Sequence, residues 1–164
     1  MAAYHLAVTV HLLAALLWLG GMFFFAVVGA PALRKLDSPG LRADLFRRLG
    51  EQFRPVAWGA IGVLLATGVL NLHFRGLLRG DLLGDPAFWS GAAGTALAWK
   101  LGCVAVMLGL SAVHDFVLGP AAGRAEAGSP RASRYRAWAA QMARANALVG
   151  LVLVYWAVRL ARGG

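Results

Sequence analysis

The fold of this chain is decided by its first 33 residues, Met1–Leu33, which read MAAYHLAVTVHLLAALLWLGGMFFFAVVGAPAL. The stretch contains no Asp, Glu, Lys or Arg, yet it contains two histidines, His5 and His11. About 20 apolar residues in a helix cross a bilayer core of about 30 Å, so this stretch is long enough to span a membrane. An imidazole inside such a span is costly, and it marks a candidate functional site.

Three later stretches have the same apolar character. Pro55–Phe74 contains no Asp, Glu, Lys or Arg. Pro86–His114 contains a single charged residue, Lys100. Ala137–Val158 also contains a single charged residue, Arg144. Because 60% of the 164 residues are hydrophobic, the chain has room for four spans and their connections and for no separate soluble domain.

These four stretches predict an all-α fold, an integral membrane antiparallel four-helix bundle. The bundle is expected to form a single membrane domain over residues 1–164. Its helices are predicted at about residues 3–33, 55–75, 88–117 and 137–160. The first stretch has no basic n-region and is longer than the ~7–15 apolar residues of a signal peptide, so we expect it to be a retained helix.

The net charge of +9 is distributed as a topology signal rather than as a nucleic-acid-binding surface. The first and third connections carry most of the basic residues: Arg34, Lys35, Arg42, Arg47, Arg48, Arg54, Arg124, Arg131, Arg134 and Arg136. The second connection and the C-terminus carry only Arg75, Arg79, Arg159 and Arg162. The positive-inside rule therefore predicts that both termini lie outside a bacterial-type cytoplasmic (inner) membrane. The expected partner is the lipid bilayer, and no nucleic-acid partner is expected.

The stretch Leu41–Arg54 alternates apolar side chains with arginines. This spacing is typical of a basic amphipathic helix that lies on anionic lipid. The alternative interpretation is a solvated cytoplasmic connector, and the sequence leaves both open.

Three polar side chains from different helices are predicted to converge on the outer leaflet. At a helical rise of about 1.5 Å per residue, His11 lies in the outer part of the first helix. His73 then lies at the outer end of the second helix, and Lys100 lies in the outer half of the third. On the first helix, Trp18 shares the face of His11 and is deep enough to line a pocket, whereas His5 points about 120° away.

The second helix carries His73 on a face of small residues, Gly59, Gly62 and Ala66. Such a face either packs closely against another helix or forms a groove that can hold a flat ligand. Both alternatives are open from the sequence.

A row on the third helix joins Lys100, Cys103, Met107 and His114. A thiolate and a thioether suit Cu(I), and an imidazole suits copper or haem iron, but Cys and Met also fill gaps in packed interiors. Lys100 either pairs with a carboxylate such as a porphyrin propionate, accepts a proton, or snorkels to the surface. His114, beside Asp115 at the membrane boundary, is either a metal ligand or a structural residue.

Several motifs resemble the CopD-type membrane domain associated with bacterial copper resistance. They are His11 with Leu17-Trp18-Leu19-Gly20-Gly21, Pro31-Ala32-Leu33, Phe53-Arg54-Pro55-Val56-Ala57-Trp58, Ala66-Thr67-Gly68-Val69-Leu70-Asn71-Leu72, and the helix with Lys100 followed by His114. The resemblance covers most of the chain. It implies a four-helix core and a role in copper uptake or copper resistance.

The same core is similar to HemJ-type proteins, which are connected with protoporphyrinogen oxidation and haem b. In that type a first-helix histidine and a third-helix lysine form the functional pair, and His11 and Lys100 match it by position. At Gly20-Gly21-Met22-Phe23 this sequence departs from the HemJ-like pattern, which has an aromatic residue followed by a Pro-Arg pair. The resemblance therefore implies haem b binding more than porphyrinogen oxidation.

Two classes of function follow from these residues. In the first, the protein binds haem b or copper for electron transfer or copper handling, with His11 and His73 as metal ligands and Lys100 beside them. Haem is preferred because one haem needs only one or two histidines and a groove. In the second, it is a haem-dependent membrane oxidoreductase. A third alternative is an accessory subunit of a larger membrane complex. A quinone or redox partner, and assembly into a homo-oligomer, are also predicted.

Overall fold

The computed structural model describes residues 1–125 and 129–163, and across these residues the chain is helical without a strand. Four of the described helices are long and apolar enough to cross a membrane: Ala2–Arg34, Pro39–Phe74, Ala92–Arg124 and Pro130–Ala161. The all-α fold is therefore confirmed, with four described helices long and apolar enough to span a membrane, whereas their assembly into one antiparallel four-helix bundle stays a prediction. The chain divides into two compact units, Met1–Gly84 and Asp85–Gly164, and each contains one helical hairpin. That the two units form one membrane domain stays a prediction.

The first hairpin consists of a long helix and a second helix that runs back along it. Its elements are α1 (Ala2–Phe24), a π-helical segment (Phe25–Gly29), α2 (Ala30–Arg34) and α3 (Pro39–Phe74), followed by the short α4 (Gly80–Leu83). At one end the ring centroids of Tyr4 and Phe74 lie 6.1 Å apart. At the other end those of Phe25 and Phe46 lie 5.9 Å apart. These contacts define an antiparallel pair.

Small side chains let α1 and α3 approach closely. The buried residues of this interface are Ala7, Ala14 and Trp18 on α1 and Ala57, Ala60, Ile61 and Thr67 on α3. A Cβ added at Gly21 would overlap the ring of Phe53, so the two helices touch there without room for a side chain. In lipid, helices associate through such close packing because the hydrophobic effect gives them no drive to pair.

The helix α3 begins at Pro39, well before the predicted start near Pro55. The Ser38 hydroxyl caps its first turn by accepting a hydrogen bond from the Leu41 amide at 3.3 Å. Within the basic stretch, Arg47 pairs with carboxylates one turn away on either side, which supports a continuous helix. At about 1.5 Å per residue its 36 residues extend about 54 Å, beyond a bilayer core of about 30 Å.

The basic stretch is therefore an extension of the second span and not a separate helix on the lipid surface. Two of its aromatic side chains pack within the hairpin, Phe46 against Phe25 and Phe53 against Gly21. The apolar side that predicted lipid contact is thus partly covered by the first helix, which corrects that interpretation.

The second hairpin repeats this design. Its elements are the short α5 (Pro86–Ser90), α6 (Ala92–Ala112), a π-helical segment (Val113–Leu118), α7 (Gly119–Arg124) and α8 (Pro130–Ala161). The Ser129 hydroxyl caps α8 as Ser38 caps α3. The third helix, predicted to end near residue 117, continues through α7 to Arg124, and residues 126–128 lie outside the described part of the chain.

The first helices of the two hairpins share several features. Both of these helices run for 33 residues, contain a π-helical segment, and carry a proline just after it, Pro31 and Pro120. Aligning the two prolines, an offset of 89 residues, pairs buried positions with buried positions: Ala7 with Ala96, Ala14 with Cys103, and Trp18 with Met107. The sequence pattern gave no indication of this repeat, because most of the paired side chains differ.

Candidate functional site

The imidazole of His11 is half-buried at the α1/α3 interface of the first hairpin. Its Nδ1 lies 2.8 Å from the hydroxyl oxygen of Thr67 on α3. Its Cε1 lies against Gly68, where an added Cβ would stand 3.6 Å away in ordinary contact. Trp18 is 6% exposed on the same face of α1, and His5 is exposed, so the predicted facing of this helix is confirmed.

The hydrogen bonds around Thr67 determine the protonation of the ring. The Thr67 hydroxyl donates to the carbonyl oxygen of Val63, 2.6 Å away and one turn back on α3. A hydroxyl has one proton, so the same oxygen can only accept from the imidazole. A neutral His11 is therefore protonated on Nδ1, and its lone pair is on Nε2, the form in which metal-binding histidines are commonly held.

A second polar group lies one helical turn beyond Thr67 on the same face of α3. The side-chain oxygen Oδ1 of Asn71 is buried and has no hydrogen-bond partner among the described residues. A buried acceptor of this kind calls for an explanation such as an ordered water or a ligand. The polar groups at this interface thus comprise one imidazole, one hydroxyl and one amide oxygen.

His73 lies near the C-terminal end of α3, where it is exposed and its ring centroid is 5.9 Å from that of Phe74. The small residues predicted to share its face, Gly59, Gly62 and Ala66, are exposed as well. This face is opposite the buried one that contacts α1, so within the hairpin it is not used for packing. That His11 and His73 hold one ligand together stays a prediction.

In the second hairpin, Lys100 is half-buried, and it precedes two buried residues of the α6/α8 interface, Cys103 and Met107. Cys103 is 7% exposed and Met107 is fully buried. The repeat adds that Lys100 occupies in this hairpin the position that His11 occupies in the first. A shallow apolar groove of about 550 Å³ reaches Cys103 and is lined by Trp99, whose indole stacks on Trp156 at 5.7 Å.

The remaining predicted ligand, His114, lies in the π-helical segment of the second hairpin. Its Nδ1 is 2.8 Å from the carboxylate of Asp115, and its side chain is 40% exposed. Its carboxylate partner and exposed position agree with the structural alternative, and its role as a ligand stays a prediction.

Sequence reasoning missed two buried polar pairs. Thr67 was noted only within a family motif, because the sequence does not give the register of α1 and α3 that brings its hydroxyl to His11. In the second hairpin, the Asn146 amide donates to the Ser111 hydroxyl at 2.9 Å, and both residues are buried. Such interhelical hydrogen bonds hold helices together in lipid.

Comparison with known proteins identifies a matching family. A family model described as CopD, copper resistance protein D, matches residues 47–160. The chain belongs to the CopD family. A similar protein is found in Aquifex aeolicus (strain VF5); it is described as an uncharacterized protein, is 29% identical over 154 residues, and the match covers 93% of this chain and 92% of the relative. No solved structure matches the chain significantly.

The matched segment of this CopD-family chain contains Thr67, His73, Lys100, Cys103 and Met107, whereas His11 precedes it. Among the described residues, no group of three or more His, Cys, Asp or Glu side chains could hold a metal ion. A haem iron needs only one or two axial side chains because the porphyrin supplies the other ligands. An imidazole with its proton on Nδ1 could bind such an iron through Nε2, and the buried Asn71 oxygen, one helical turn from Thr67, could accept a hydrogen bond from a water.

Proposed function

We propose that this CopD-family membrane protein binds haem b and transfers electrons, with His11 as an axial ligand of the iron. The observation that carries the proposal is the hydrogen bond from His11 to Thr67, which leaves the lone pair on Nε2. Haem supplies a one-electron redox centre, with a potential that depends on the axial ligand and its surroundings. The chain's own residues hold and orient the imidazole within an apolar span.

Two further residues are assigned roles by the same proposal. His73 and the exposed face of Gly59, Gly62 and Ala66 are on the side of α3 opposite His11, so they would hold a separate group rather than the haem that His11 binds. Lys100, half-buried in the second hairpin, is the proposed partner of a carboxylate such as a propionate.

A second candidate function is copper handling, either uptake or resistance. The description of the family favours it, and so does the burial of Cys103 and Met107 on one face of α6. Thiolate and thioether are the ligands that Cu(I) prefers. The two candidates differ in the metal that the protein retains.

The test is the visible spectrum of the detergent-purified protein, air-oxidised and then dithionite-reduced, with iron and copper quantified in the same sample. Haem binding predicts a Soret band and an α-band that sharpens on reduction, with iron retained. A colourless protein that retains copper would support the second candidate. A protein with neither metal would contradict both and favour an accessory subunit of a larger complex.

The role of His11 is tested by His11→Ala beside His5→Ala as the matched control. His5 is on the same helix but exposed on another face, so its replacement should leave the spectrum unchanged. His11→Ala should abolish or strongly shift the haem bands. Equal spectra for the two variants would exclude His11 as the ligand.

We also propose that both termini lie outside the cytoplasmic membrane, on the basis of the arginine distribution. Single cysteines placed in a Cys103→Ala background at Asp37 and Gly80, which are exposed in the first and second connections, report the two sides. In intact cells, a membrane-impermeant maleimide should label the cysteine at 80 and not the one at 37. The reverse pattern would overturn the orientation.

A further inference from the structure

We propose that Thr67 is a positioning residue that holds His11 in its Nδ1-protonated tautomer, so that Nε2 is the nitrogen offered to the metal. This inference rests on the proposed function of His11 as a metal ligand. Thr67 itself touches neither metal nor haem in this account. It acts only through the imidazole.

The Thr67 hydroxyl has a single proton to donate. Its hydroxyl oxygen lies 2.6 Å from the Val63 carbonyl oxygen and 3.4 Å from that of Leu64, both on its own helix. A threonine in a helix commonly donates backwards to such a carbonyl. That bond uses the single hydroxyl proton and leaves lone pairs on the oxygen. The direction of the bond to His11, 2.8 Å away, is thereby fixed.

The surroundings make this arrangement persistent. Thr67 is 8% exposed, and it lies inside a helix long and apolar enough to span a membrane. In the core of a bilayer no bulk water is present to replace a lost partner, so a buried polar group keeps the hydrogen bond it has. The bond also joins two helices, since His11 and Thr67 are 56 residues apart in sequence, and it therefore orients the ring relative to α3 as well as selecting its tautomer.

Loss of this hydrogen bond is expected to weaken metal binding, beyond any effect on helix packing. Partners that hold the second ring nitrogen of a metal-binding histidine commonly contribute about 10–100-fold to affinity or activity. Thr67→Val keeps the branched shape but removes the hydroxyl, so the imidazole loses its acceptor. Thr67→Ser keeps the hydroxyl and should preserve the tautomer and the affinity.

The test begins with the full chain purified without metal and labelled with ¹⁵N in its histidine rings. Only four histidines are present, so removing them one at a time assigns the signals. In alkaline buffer, in which the imidazole is neutral, the wild-type His11 signals should show protonation at Nδ1. Thr67→Val should shift them towards Nε2 protonation, and Thr67→Ser should not. His73, on the exposed face, reports whether the fold of the variant is preserved.

The second readout is a haem titration, with copper titrated separately, of the same proteins. Thr67→Val should bind about 10–100-fold more weakly than wild type, and Thr67→Ser should bind like wild type. Gly68→Ala is a packing control, because its Cβ would make only ordinary contact with the ring. Its affinity should stay within a small factor of the wild-type value.

The outcomes separate this inference from the function it rests on. If the wild type binds haem through His11 but Thr67→Val matches Thr67→Ser in tautomer and affinity, the positioning role is refuted and the function stands. If the wild type binds neither haem nor copper, the function is refuted, whatever the tautomer. A wild-type His11 protonated on Nε2 would overturn the inference directly.

Discussion

Gly94→Ala should destabilise the second hairpin because of a backbone collision that no side-chain rotation can relieve. A Cβ at Gly94 would stand 2.7 Å from the carbonyl carbon of Phe88 and 2.8 Å from the Cα of Trp89, and it would overlap the Phe88 carbonyl oxygen. The turn that carries these atoms is held in place. The Gly91 amide donates to the Ala87 carbonyl at 3.1 Å, and the Thr95 hydroxyl donates to the Trp89 carbonyl at 3.2 Å.

The expected magnitude combines two opposing effects. Inserting a methyl group into a packed site costs about 1–3 kcal/mol, and rigid backbone neighbours put this site at the upper end. Replacing glycine by alanine in a helix returns up to about 1 kcal/mol. The free energy of unfolding should therefore fall by about 1–2 kcal/mol, which raises the equilibrium constant for unfolding by a factor of about 5–30.

The assay is SDS-induced unfolding in detergent micelles, followed by circular dichroism, with Gly102→Ala as the control. Gly102 lies on the same helix, and a Cβ there meets no atom within 4 Å, so this variant should be as stable as wild type or slightly more stable. Equal stability of the two variants would refute the described packing of α5 on α6.

Other sites give three further expectations. A double-mutant cycle of Asn146→Leu and Ser111→Ala in the same unfolding assay should give a coupling free energy of about 0.6 kcal/mol and at most about 1.7 kcal/mol. A coupling of zero would contradict the hydrogen bond between the two side chains. The side-chain hydrogen bond from Arg79 lowers the pKa of Asp81 from its ordinary value of 3.8. The pair of exposed side chains should therefore be formed above that value, and it should be lost as the pH falls through the lower pKa of the folded state. A carboxyl NMR titration of Asp81 should accordingly have its midpoint below 3.8, and Arg79→Ala should return it to about that value; an unchanged midpoint would contradict the pairing. The thiol of Cys103, 7% exposed, should react slowly with a maleimide in mild detergent and quickly after unfolding in SDS, and equal rates would contradict its burial.

The sequence predicted the spans because their length and apolarity are dictated by the bilayer and need no knowledge of packing. It also predicted the inward face of α1, because Trp18 and His11 recur at helical spacing. It failed at the start of α3. The stretch Leu41–Arg54 was predicted to be either a helix on the lipid surface or a solvated connector, but it continues the second span as one helix, with ion pairs along it and an aromatic contact between Phe46 and Phe25.

The candidate site was predicted only in part. Helical spacing locates His11 on a face but says nothing of which residue on α3 stands opposite, since that depends on the register of two antiparallel helices. Thr67 was therefore missed, and the predicted partner, His73, lies on a different face of its helix. The correspondence of Lys100 with His11 was missed because the similarity lies in the helix lengths and the positions of the prolines, whereas most of the paired side chains differ.

The most direct test of the account is the haem spectrum of His11→Gly with and without added imidazole. Removing the side chain opens space at the ligand position, and free imidazole can occupy it. If His11 binds the iron, the variant should lose the wild-type Soret and α-bands, and imidazole should restore them. A variant that retains the wild-type spectrum and haem affinity without imidazole would contradict the central claim.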